Sequence, residues 1–337
     1  MPFERTSPPL EPPLEPPPEV GVGVGVPLLL SQNKFNFTVI YLFFYSNMFI
    51  VFFIITVKFE DLISFEKNIK THKYACKNIH KECENWLMMN THECANNPSF
   101  MHINCRKSCN KCDVCNQRNT ALLPGLMSSK IKRIVNTTEN VHILSQDPWI
   151  LYFDDFVTDV EIVGIQNSCT NYTRSLAGSD SGITESRTSS TCWCYDTCTA
   201  NTDIKFIRQR ISDKLGIHWE NAEHFQFLKY ERDQYYKSHH DQNAALDSAW
   251  GPRIFTFFIY LSDVESGGHT YFNRLSIRVP PKKGAAILWP SVMDNDPYKT
   301  DYRTFHEAMP VIRGTKFAIN IWFHLYNFQI PHKYNCL

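Results

Sequence analysis

Two histidines and one aspartate in the C-terminal half of the chain could bind a metal ion together. His239 and Asp241 lie two residues apart, so on a β-strand their side chains point to the same face. His306, much later in the chain, could supply a third ligand. Two imidazoles and one carboxylate leave coordination positions open for a cosubstrate and dioxygen, an arrangement typical of non-haem Fe(II) oxygenases.

The His-x-Asp pattern alone is a weak signal, because the chain has 13 histidines and most histidines only pack or hydrogen-bond. His240 could be mistaken for the ligand next to it in the sequence. On a strand it points to the face opposite His239 and Asp241, so we leave it out of the predicted site.

Lys316 is a candidate partner for the distal carboxylate of a cosubstrate. It lies within apolar sequence, shortly after a predicted turn at Arg313-Gly314. We expect a hairpin at this turn to bring the ammonium group across from His306, where it could bind a carboxylate by a charge-assisted hydrogen bond. A lone lysine on a strand is more often exposed, but the apolar flanks favour a buried charge here.

Short apolar runs predict the elements that must position these residues. Runs rich in β-branched and aromatic residues, broken by Gly, Pro and Asp, are typical of strands. They occupy residues 150–153, 254–261, 285–289 and 317–325. Residues 200–216 carry isoleucines and a leucine at helical spacing and predict a helix. A helix followed by many short strands favours a mostly β fold, a sandwich or jelly roll with supporting helices.

Composition limits the classes of function and the compartment. Lys plus Arg and Asp plus Glu both total 34, so no overall basic field favours nucleic-acid binding. The 337 residues suffice for one large or two modest domains. The 12 cysteines are dense enough to predict an oxidising compartment. Glycosylation sequons at Asn136 and Asn171 agree with a glycoprotein of the endoplasmic reticulum or outside the cell.

The N-terminal region has the composition of a tail followed by a targeting segment. Residues 1–34 are rich in Pro and Gly and predict a disordered tail. Residues 35–57 are uncharged and long enough to cross a bilayer as a helix. They are interpreted as a transmembrane signal-anchor, or as a cleaved signal sequence that starts at Met48. Both interpretations place the remaining chain in the endoplasmic reticulum lumen or outside the cell.

Residues 143–325 carry a series of motifs in a fixed order and spacing. They are Arg187-Thr188-Ser189, Glu220-Asn221-Ala222-Glu223, Tyr230 with Gln234 to Asp241, Gly267 to Phe272, Pro280 to Gly284, Asp301 to His306, Pro310-Val311, Gly314-Thr315-Lys316 and Asn320-Ile321-Trp322. Together these residues resemble the catalytic domain of the prolyl 4-hydroxylase α-subunit family.

This resemblance implies a double-stranded β-helix, or jelly roll, with supporting helices over residues 143–330. It implies that Fe(II) is bound by His239, Asp241 and His306, which with Lys316 are the catalytic residues. Lys316 would bind the C5 carboxylate of 2-oxoglutarate, and Tyr230 would hydrogen-bond the same cosubstrate. The implied reaction is a procollagen-type hydroxylation of peptidyl proline with O2 and 2-oxoglutarate, which releases succinate and CO2 and uses L-ascorbate.

Six cysteines occupy residues 76–112, with six, ten, ten, three and two residues between successive ones. Together with Trp86, Asn97-Pro98 and Ser108 they resemble a ShKT domain. The resemblance implies the disulfides Cys76–Cys112, Cys83–Cys105 and Cys94–Cys109, a choice that spacing alone does not make. The alternative is a zinc site at Cys109, Cys112 and Cys115, which an oxidising compartment disfavours. The partners of Cys115, Cys169, Cys192, Cys194, Cys198 and Cys336 stay open, and residues 113–142 are interpreted as a linker.

Three functions remain after these observations. The first is a protein-proline hydroxylase whose partner is a proline-containing protein, collagen-like proteins included, with protein disulfide isomerase as a second partner and a membrane contact through residues 35–57. The second is a non-enzymatic ShKT interaction protein on an oxygenase-fold scaffold, and the third a hydroxylase of another substrate. The sequence shows no recognisable separate peptide-binding domain like the one before the catalytic domain in collagen-type enzymes, which weakens the collagen and isomerase expectations.

Overall fold

The computed structural model describes residues 26–33, 36–43, 51–58, 76–115, 119–177 and 183–336. The chain divides into two compact units, residues 1–60 and 61–337. In the first unit three antiparallel strands pair in chain order. They are β1 (Val26–Asn33), β2 (Asn36–Phe43) and β3 (Val51–Lys58).

The N-terminal predictions can be compared with the structure only in part. Residues 1–25 of the predicted disordered tail lie outside the described residues, and Val26–Asn33 is a strand. The described part of 35–57 forms strands where we expected a helix, because the β-branched and aromatic side chains there suit antiparallel pairing as well. Residues 35 and 44–50 lie outside the described residues. Among the described helices, none combines the length and apolar character needed to cross a membrane.

The second unit begins with the cysteine-rich module. It contains three short helices, α1 (Cys83–Met89), α2 (Glu93–Asn96) and α3 (Pro98–Asn104), and a 3-10 turn at Asp113–Cys115. The structure joins Cys76 to Cys112, Cys83 to Cys105 and Cys94 to Cys109, the three pairs that the ShKT resemblance implies. The small core consists of Cys83, Met101 and Cys105, so disulfides supply much of the stability of so small a module.

The rest of the second unit is built on antiparallel sheets. Its helices are α4 (Met127–Thr137), α5 (Asp159–Gln166), α6 (Asp196–Ala200), α7 (Thr202–Leu215) and α8 (Gln329–Lys333). The strands of the largest sheet, in spatial order, are β4 (Val141–Gln146), β5 (Trp149–Phe153), β14 (Ala286–Pro290), β10 (Arg253–Tyr260), β19 (Lys316–His324), β8 (Gln226–Tyr230), β7 (Ser190–Trp193) and β6 (Thr173–Arg174).

A second sheet has four strands in the order β13 (Ile277–Val279), β12 (Thr270–Phe272), β17 (His306–Ala308) and β9 (Tyr236–His239). Two small ribbons complete the strands: β11 (Ser266–Gly267) with β18 (Val311–Arg313), and β15 (Val292–Met293) with β16 (Asp296–Thr300). The mostly β prediction is confirmed, and so are the predicted helix at 200–216 and the four predicted strands.

The large sheet has a different role on each face. On β10, Phe255, Phe257 and Ile259 pack into the main core together with the isoleucines of helix α7. The intervening residues Phe258 and Tyr260 belong to a second core, which includes Phe272 and Val279 of the small sheet. Side chains alternate along a strand, so the helices cover one face of the large sheet and the small sheet covers the other.

The predicted linker contains a packed helix. In α4, Met127, Ile131 and Ile134 are buried in the main core, because their spacing places all three on one side of the helix. The residues between them are polar, and Ser129, Lys132 and Arg133 are exposed, which explains why the segment looked like a connector in the sequence.

The predicted hairpin at Arg313-Gly314 is not formed. Strand β18 pairs with β11, whereas β19 pairs with β10 and β8. Gly314 has a φ of 98°, a conformation that glycine adopts without strain and that lets the chain pass from one sheet to another. Lys316 therefore lies on the large sheet, and His306 lies on the small sheet.

The remaining cysteines are also paired. The structure has the disulfides Cys115–Cys336, Cys169–Cys192 and Cys194–Cys198, and no described cysteine is free. The sulfurs of Cys109, Cys112 and Cys115 are all in disulfides, so the zinc alternative does not hold in this structure. Near Cys115, the guanidinium of Arg106 donates a hydrogen bond of 2.6 Å to the carbonyl of Asn335, so a second contact joins the module to the C-terminal segment.

Replacing Cys115 and Cys336 together by serine should destabilise the second unit strongly. Their bond closes a loop of 221 residues, and the chain-entropy model gives an upper value of about 5 kcal/mol for a loop of that size. The matched control is the double serine variant of Cys194 and Cys198, whose separation is only 4 residues and for which the same model gives about 2 kcal/mol. Denaturant unfolding without reductant measures the free energy of unfolding of both variants. Equal losses in the two variants would contradict the assignment of the Cys115–Cys336 disulfide.

Candidate metal centre

The three predicted ligands come together where strands β9 and β17 pair. His239 at the end of β9 lies directly opposite His306, the first residue of β17. Asp241 follows two residues after His239 and is buried. Among the described residues, these three form the single group whose ligand atoms all lie within 4.8 Å of one another. The carboxylate oxygens of Asp241 are 3.7 Å from Nε2 of His239 and 3.8 Å from Nε2 of His306.

Hydrogen bonds fix which ring nitrogen of each histidine is available. Nδ1 of His239 lies 2.9 Å from the carbonyl of Lys237, and Nδ1 of His306 lies 3.0 Å from the carbonyl of Thr304. A carbonyl only accepts, so both Nδ1 atoms carry the proton and donate. Each Nε2 is then the nitrogen left for a metal ion, because Nδ1 is already engaged, as in metal-binding histidines.

Asp241 is held by a neighbouring strand. The hydroxyl of Thr256 on β10 donates a hydrogen bond of 2.6 Å to Oδ2 of Asp241. The guanidinium of Arg253, on the same strand, donates to the backbone carbonyl of Asp241 at 3.2 Å. The carboxylate is therefore oriented by the large sheet, although its own chain segment follows the small sheet.

The protonation states of the candidate ligands suit a metal ion. Burial lowers the pKa of His239 to about 3, and the adjacent His306 adds to this effect, so the ring is neutral. Burial alone would raise the pKa of Asp241, but His306, His239 and the Thr256 hydroxyl outweigh it and bring the pKa to about 2. Neutral imidazole and ionised carboxylate are the forms that bind metals.

His240 is occupied elsewhere. Its Nε2 donates to the carbonyl of Asp301 at 2.9 Å, and its Nδ1 accepts the backbone N–H of Gln242 at 2.9 Å. Neither nitrogen is left for a metal ion. The structure thus places His240 outside the ligand group, directly after the end of strand β9.

The candidate ligands line a cavity of about 670 Å³ between the two sheets. Its apolar wall includes Leu228, Phe258 and Trp289. The ring of Tyr236 lies on the wall as well and stacks on His239, with ring centroids 3.6 Å apart. The volume is in the range of small-molecule sites, and the apolar side chains limit the access of water.

Lys316 lies behind this wall as a deeply buried cation. Its side chain is 1% exposed, and Nζ donates a hydrogen bond of 2.8 Å to the carbonyl of Gly268. Nζ is 5.4 Å from the ring centroids of Tyr230, Phe258 and Tyr260. Within the described parts of the chain no carboxylate forms an ion pair with it. Burial lowers its pKa to about 7, so an arriving carboxylate would restore its charge.

Tyr230, the other residue assigned to the cosubstrate, lies opposite Lys316 in the pairing of β8 with β19. It is buried and lines the cavity. Burial raises its pKa, so the phenol stays protonated and can donate a hydrogen bond into the cavity.

Sequence reasoning assigned no role to two other residues on the inner face of β19. Asn320 and Trp322 follow Lys316 at even spacing, line the cavity, and are buried. Among the described residues, Oδ1 of Asn320 and Nε1 of Trp322 find no hydrogen-bond partner. Buried polar atoms are rarely left unpaired, so both atoms are available to a bound molecule. Strand alternation counted from Lys316 could have identified them.

A charged network beside the cavity was also missed. Oε1 of Glu223 accepts hydrogen bonds from Nε of Arg253 at 2.6 Å and from Nε2 of His324 at 2.8 Å. Burial alone would raise the pKa of Glu223, but Arg253 and His324 bring it to about 2. The guanidinium of Arg253 also lies 3.8 Å from the ring centroid of Trp322. The network therefore positions both Asp241 and Trp322. Glu223 belongs to a motif read in the sequence, but its partners are distant in the chain.

Comparison with known proteins agrees with this geometry. Residues 225–324 match the model of the 2OG-Fe(II) oxygenase superfamily, and residues 75–112 match the ShK domain-like model. The chain is 31% identical over 190 residues to prolyl 4-hydroxylase subunit alpha-1 of Homo sapiens, covering 52% of this chain and 34% of that protein. It is 30% identical over 194 residues to prolyl 4-hydroxylase subunit alpha-3 of Bos taurus, covering 55% of this chain and 35% of that one.

Among solved structures, the chain is similar to the viral collagen prolyl hydroxylase of Paramecium Bursaria Chlorella virus-1, with 25% sequence identity and a TM-score of 0.42. The match covers 52% of this chain and 95% of the viral one. The chain spans about a third of the human and bovine subunits. The His–Asp–His group lies inside the segment that matches the 2OG-Fe(II) oxygenase superfamily, residues 225–324, and the cysteine-rich module lies in the segment that matches the ShK domain-like family, residues 75–112.

Proposed function

We propose that this chain is an Fe(II)- and 2-oxoglutarate-dependent dioxygenase that hydroxylates proline residues in polypeptides. The observation that supports it most is the meeting of His239, Asp241 and His306 at one cavity, with the buried ammonium group of Lys316 behind its wall. An ion at the first three residues and a dicarboxylate that reaches the fourth would account for each of these buried polar groups.

The donor set suits Fe(II). Two imidazoles and one carboxylate on one side of an ion leave positions free for other ligands, and the structure brings these donor atoms within 4.8 Å of one another. When bound, iron and 2-oxoglutarate supply the oxygen chemistry that inserts a hydroxyl group and releases succinate and CO2. The chain itself orients the donors, through the backbone carbonyls of Lys237 and Thr304 and the hydroxyl of Thr256.

Lys316 and Tyr230 would bind the cosubstrate. A buried ammonium group without an ion-pair partner is costly, and a carboxylate that forms a salt bridge with it removes much of that cost. The cavity walls at Phe258 and Trp289 exclude water from the reacting atoms. Asn320 and Trp322 offer unpaired polar atoms for the polypeptide or for the cosubstrate.

Proline is the proposed substrate residue because the curated relatives are prolyl 4-hydroxylase α subunits. Collagen-like substrates, a protein disulfide isomerase partner and ascorbate dependence belong to the same proposal. Six disulfides favour an oxidising compartment such as the endoplasmic reticulum lumen or the cell exterior. Asn136 and Asn171 of the two sequons are exposed, as glycosylation requires.

Turnover with peptides tests the reaction. The purified chain with Fe(II), ascorbate, 2-oxoglutarate and a Pro-Pro-Gly repeat peptide should release succinate and add one oxygen atom to proline, seen by mass spectrometry. His306→Ala should abolish both signals, because one of three ligands is lost. Succinate release without a modified peptide, or a modified residue other than proline, would refute proline as the substrate. No release at all with iron bound would refute the enzyme.

Thr256 should matter for metal affinity although it is not a ligand. Thr256→Val removes the hydrogen bond to Asp241 at nearly constant volume, and loss of such a supporting contact typically weakens metal binding about 10- to 100-fold. Thr256→Ser retains the hydroxyl and should bind normally. Anaerobic calorimetry with Fe(II) or Mn(II) measures both variants, and equal affinities would show that Thr256 does not orient the carboxylate.

Binding of 2-oxoglutarate should depend on pH through Lys316. Its pKa of about 7 means that the ammonium form dominates below pH 7. Above that pH, binding must take up a proton, so affinity should fall about tenfold per pH unit. Lys316→Arg should flatten this dependence, because a guanidinium stays protonated. Lys316→Ala should weaken binding about 10- to 100-fold at pH 6. Calorimetry with metal-loaded protein gives the profiles, and identical slopes for wild type and Lys316→Arg would contradict the assignment.

A further inference from the structure

The cysteine-rich module has an open apolar groove of about 420 Å³, far in the sequence from the metal centre. We call it the module groove. Trp86, Met89 and Phe100 form its apolar part, and Asn90 and Asn97 supply amides. The side chain of Met89 is 78% exposed. Nothing in the proposed reaction uses this surface.

Aromatic rings make up one wall of the module groove. His80 stacks on Trp86 with ring centroids 4.5 Å apart, and Phe100 meets Trp86 edge to face at 5.7 Å. The rings are held by the disulfide core beneath them, which contains the Cys83–Cys105 bond and Met101. This aromatic wall is therefore rigid. Covering its exposed apolar area with a partner would lower the free energy.

The charges around the groove limit the kind of partner. Glu93 is the one charged residue among the described residues that line it, and Oε2 of Glu93 already accepts a hydrogen bond of 3.0 Å from the amide of Asn90. In the part of the chain that the structure describes, no lysine or arginine lines it, which disfavours phosphate groups and anionic membrane surfaces. The groove suits a neutral chain that has apolar rings and free carbonyls.

A proline-rich strand has these properties. In the polyproline II conformation its rings pack on aromatic side chains, and its carbonyls accept hydrogen bonds from amides or indoles. Little conformational entropy is lost on binding, because proline already favours this conformation. We propose that the module groove binds proline-rich polypeptide in this conformation and thereby docks the substrate. This inference rests on the proposed function for the role of the docked chain, but the binding itself can be measured without turnover.

The module is joined firmly to the part of the chain that carries the cavity. The Cys115–Cys336 disulfide and the hydrogen bond from Arg106 to Asn335 hold it to the segment after helix α8. Just before that helix, Phe328 stacks on His324, which belongs to the network beside the cavity. A polypeptide held in the module groove would therefore be tethered to the same unit that carries the cavity.

Direct binding tests the inference on the full chain without iron. Calorimetry with a poly-L-proline peptide should show binding that Met89→Glu and Phe100→Ala weaken at least tenfold. The matched control is Met88→Glu, because Met88 is 75% exposed beside Met89 yet does not line the groove, and its binding should equal that of the wild type. Met89→Glu changes an exposed side chain, so its effect does not depend on the folding of the module.

The outcomes separate the two proposals. If Met89→Glu also raises KM for a long proline-rich peptide but not for a single Pro-Pro-Gly repeat, at unchanged kcat, the docking role is supported. Poly-L-proline binding that is lost in Met89→Glu, in a chain without hydroxylase activity, supports the groove and refutes the proposed function alone. Active enzyme whose peptide binding and KM do not respond to Met89→Glu or Phe100→Ala overturns the inference. Tighter binding of a helical peptide or of anionic vesicles overturns it too.

Discussion

The pairing of strand β9 with strand β17 is the constraint on which the site depends. It sets His239 opposite His306, from segments far apart in the chain. Backbone carbonyls then turn both rings so that each Nε2 faces the same gap. A shift of this register by one residue would turn one ring to the opposite face of the sheet, and no adjustment of side chains could restore the ligand group.

The large sheet supports this pairing, because one of its faces packs into the core and the other faces the cavity. On β19, Ile319 and Ile321 pack into the core under the helices, while Lys316 and Asn320 face the side of the cavity. The apolar face contributes the stability that offsets the burial of an ammonium group and two unpaired polar atoms. Asp241 depends on the same division, since Thr256 holds it from the large sheet.

Local patterns predicted much of the fold, and long-range pairing explains the failures. The helix at Thr202–Leu215 and the main strands follow from spacing within one segment. The prediction of a hairpin at Arg313-Gly314 was wrong, because the sequence does not show that β18 pairs with β11. Strand alternation put His239 and Asp241 on one face, and the family resemblance supported His306 as the third ligand. The roles of Glu223 and Thr256 were missed, because their partners lie elsewhere in the chain and only the folded sheet brings them together.

The bond between Cys115 and Cys336 has a consequence for biosynthesis. The two cysteines are separated by 221 residues, so the thiol of Cys115 has no partner until all of that chain is translated. Cys109 and Cys112 are close by in sequence and can capture it meanwhile by thiol–disulfide exchange. If the three disulfides within the module form early, Cys109 and Cys112 are already bonded and no longer compete for Cys115. The order of oxidation, and not only the final set of bonds, then decides whether the nascent polypeptide reaches its mature form.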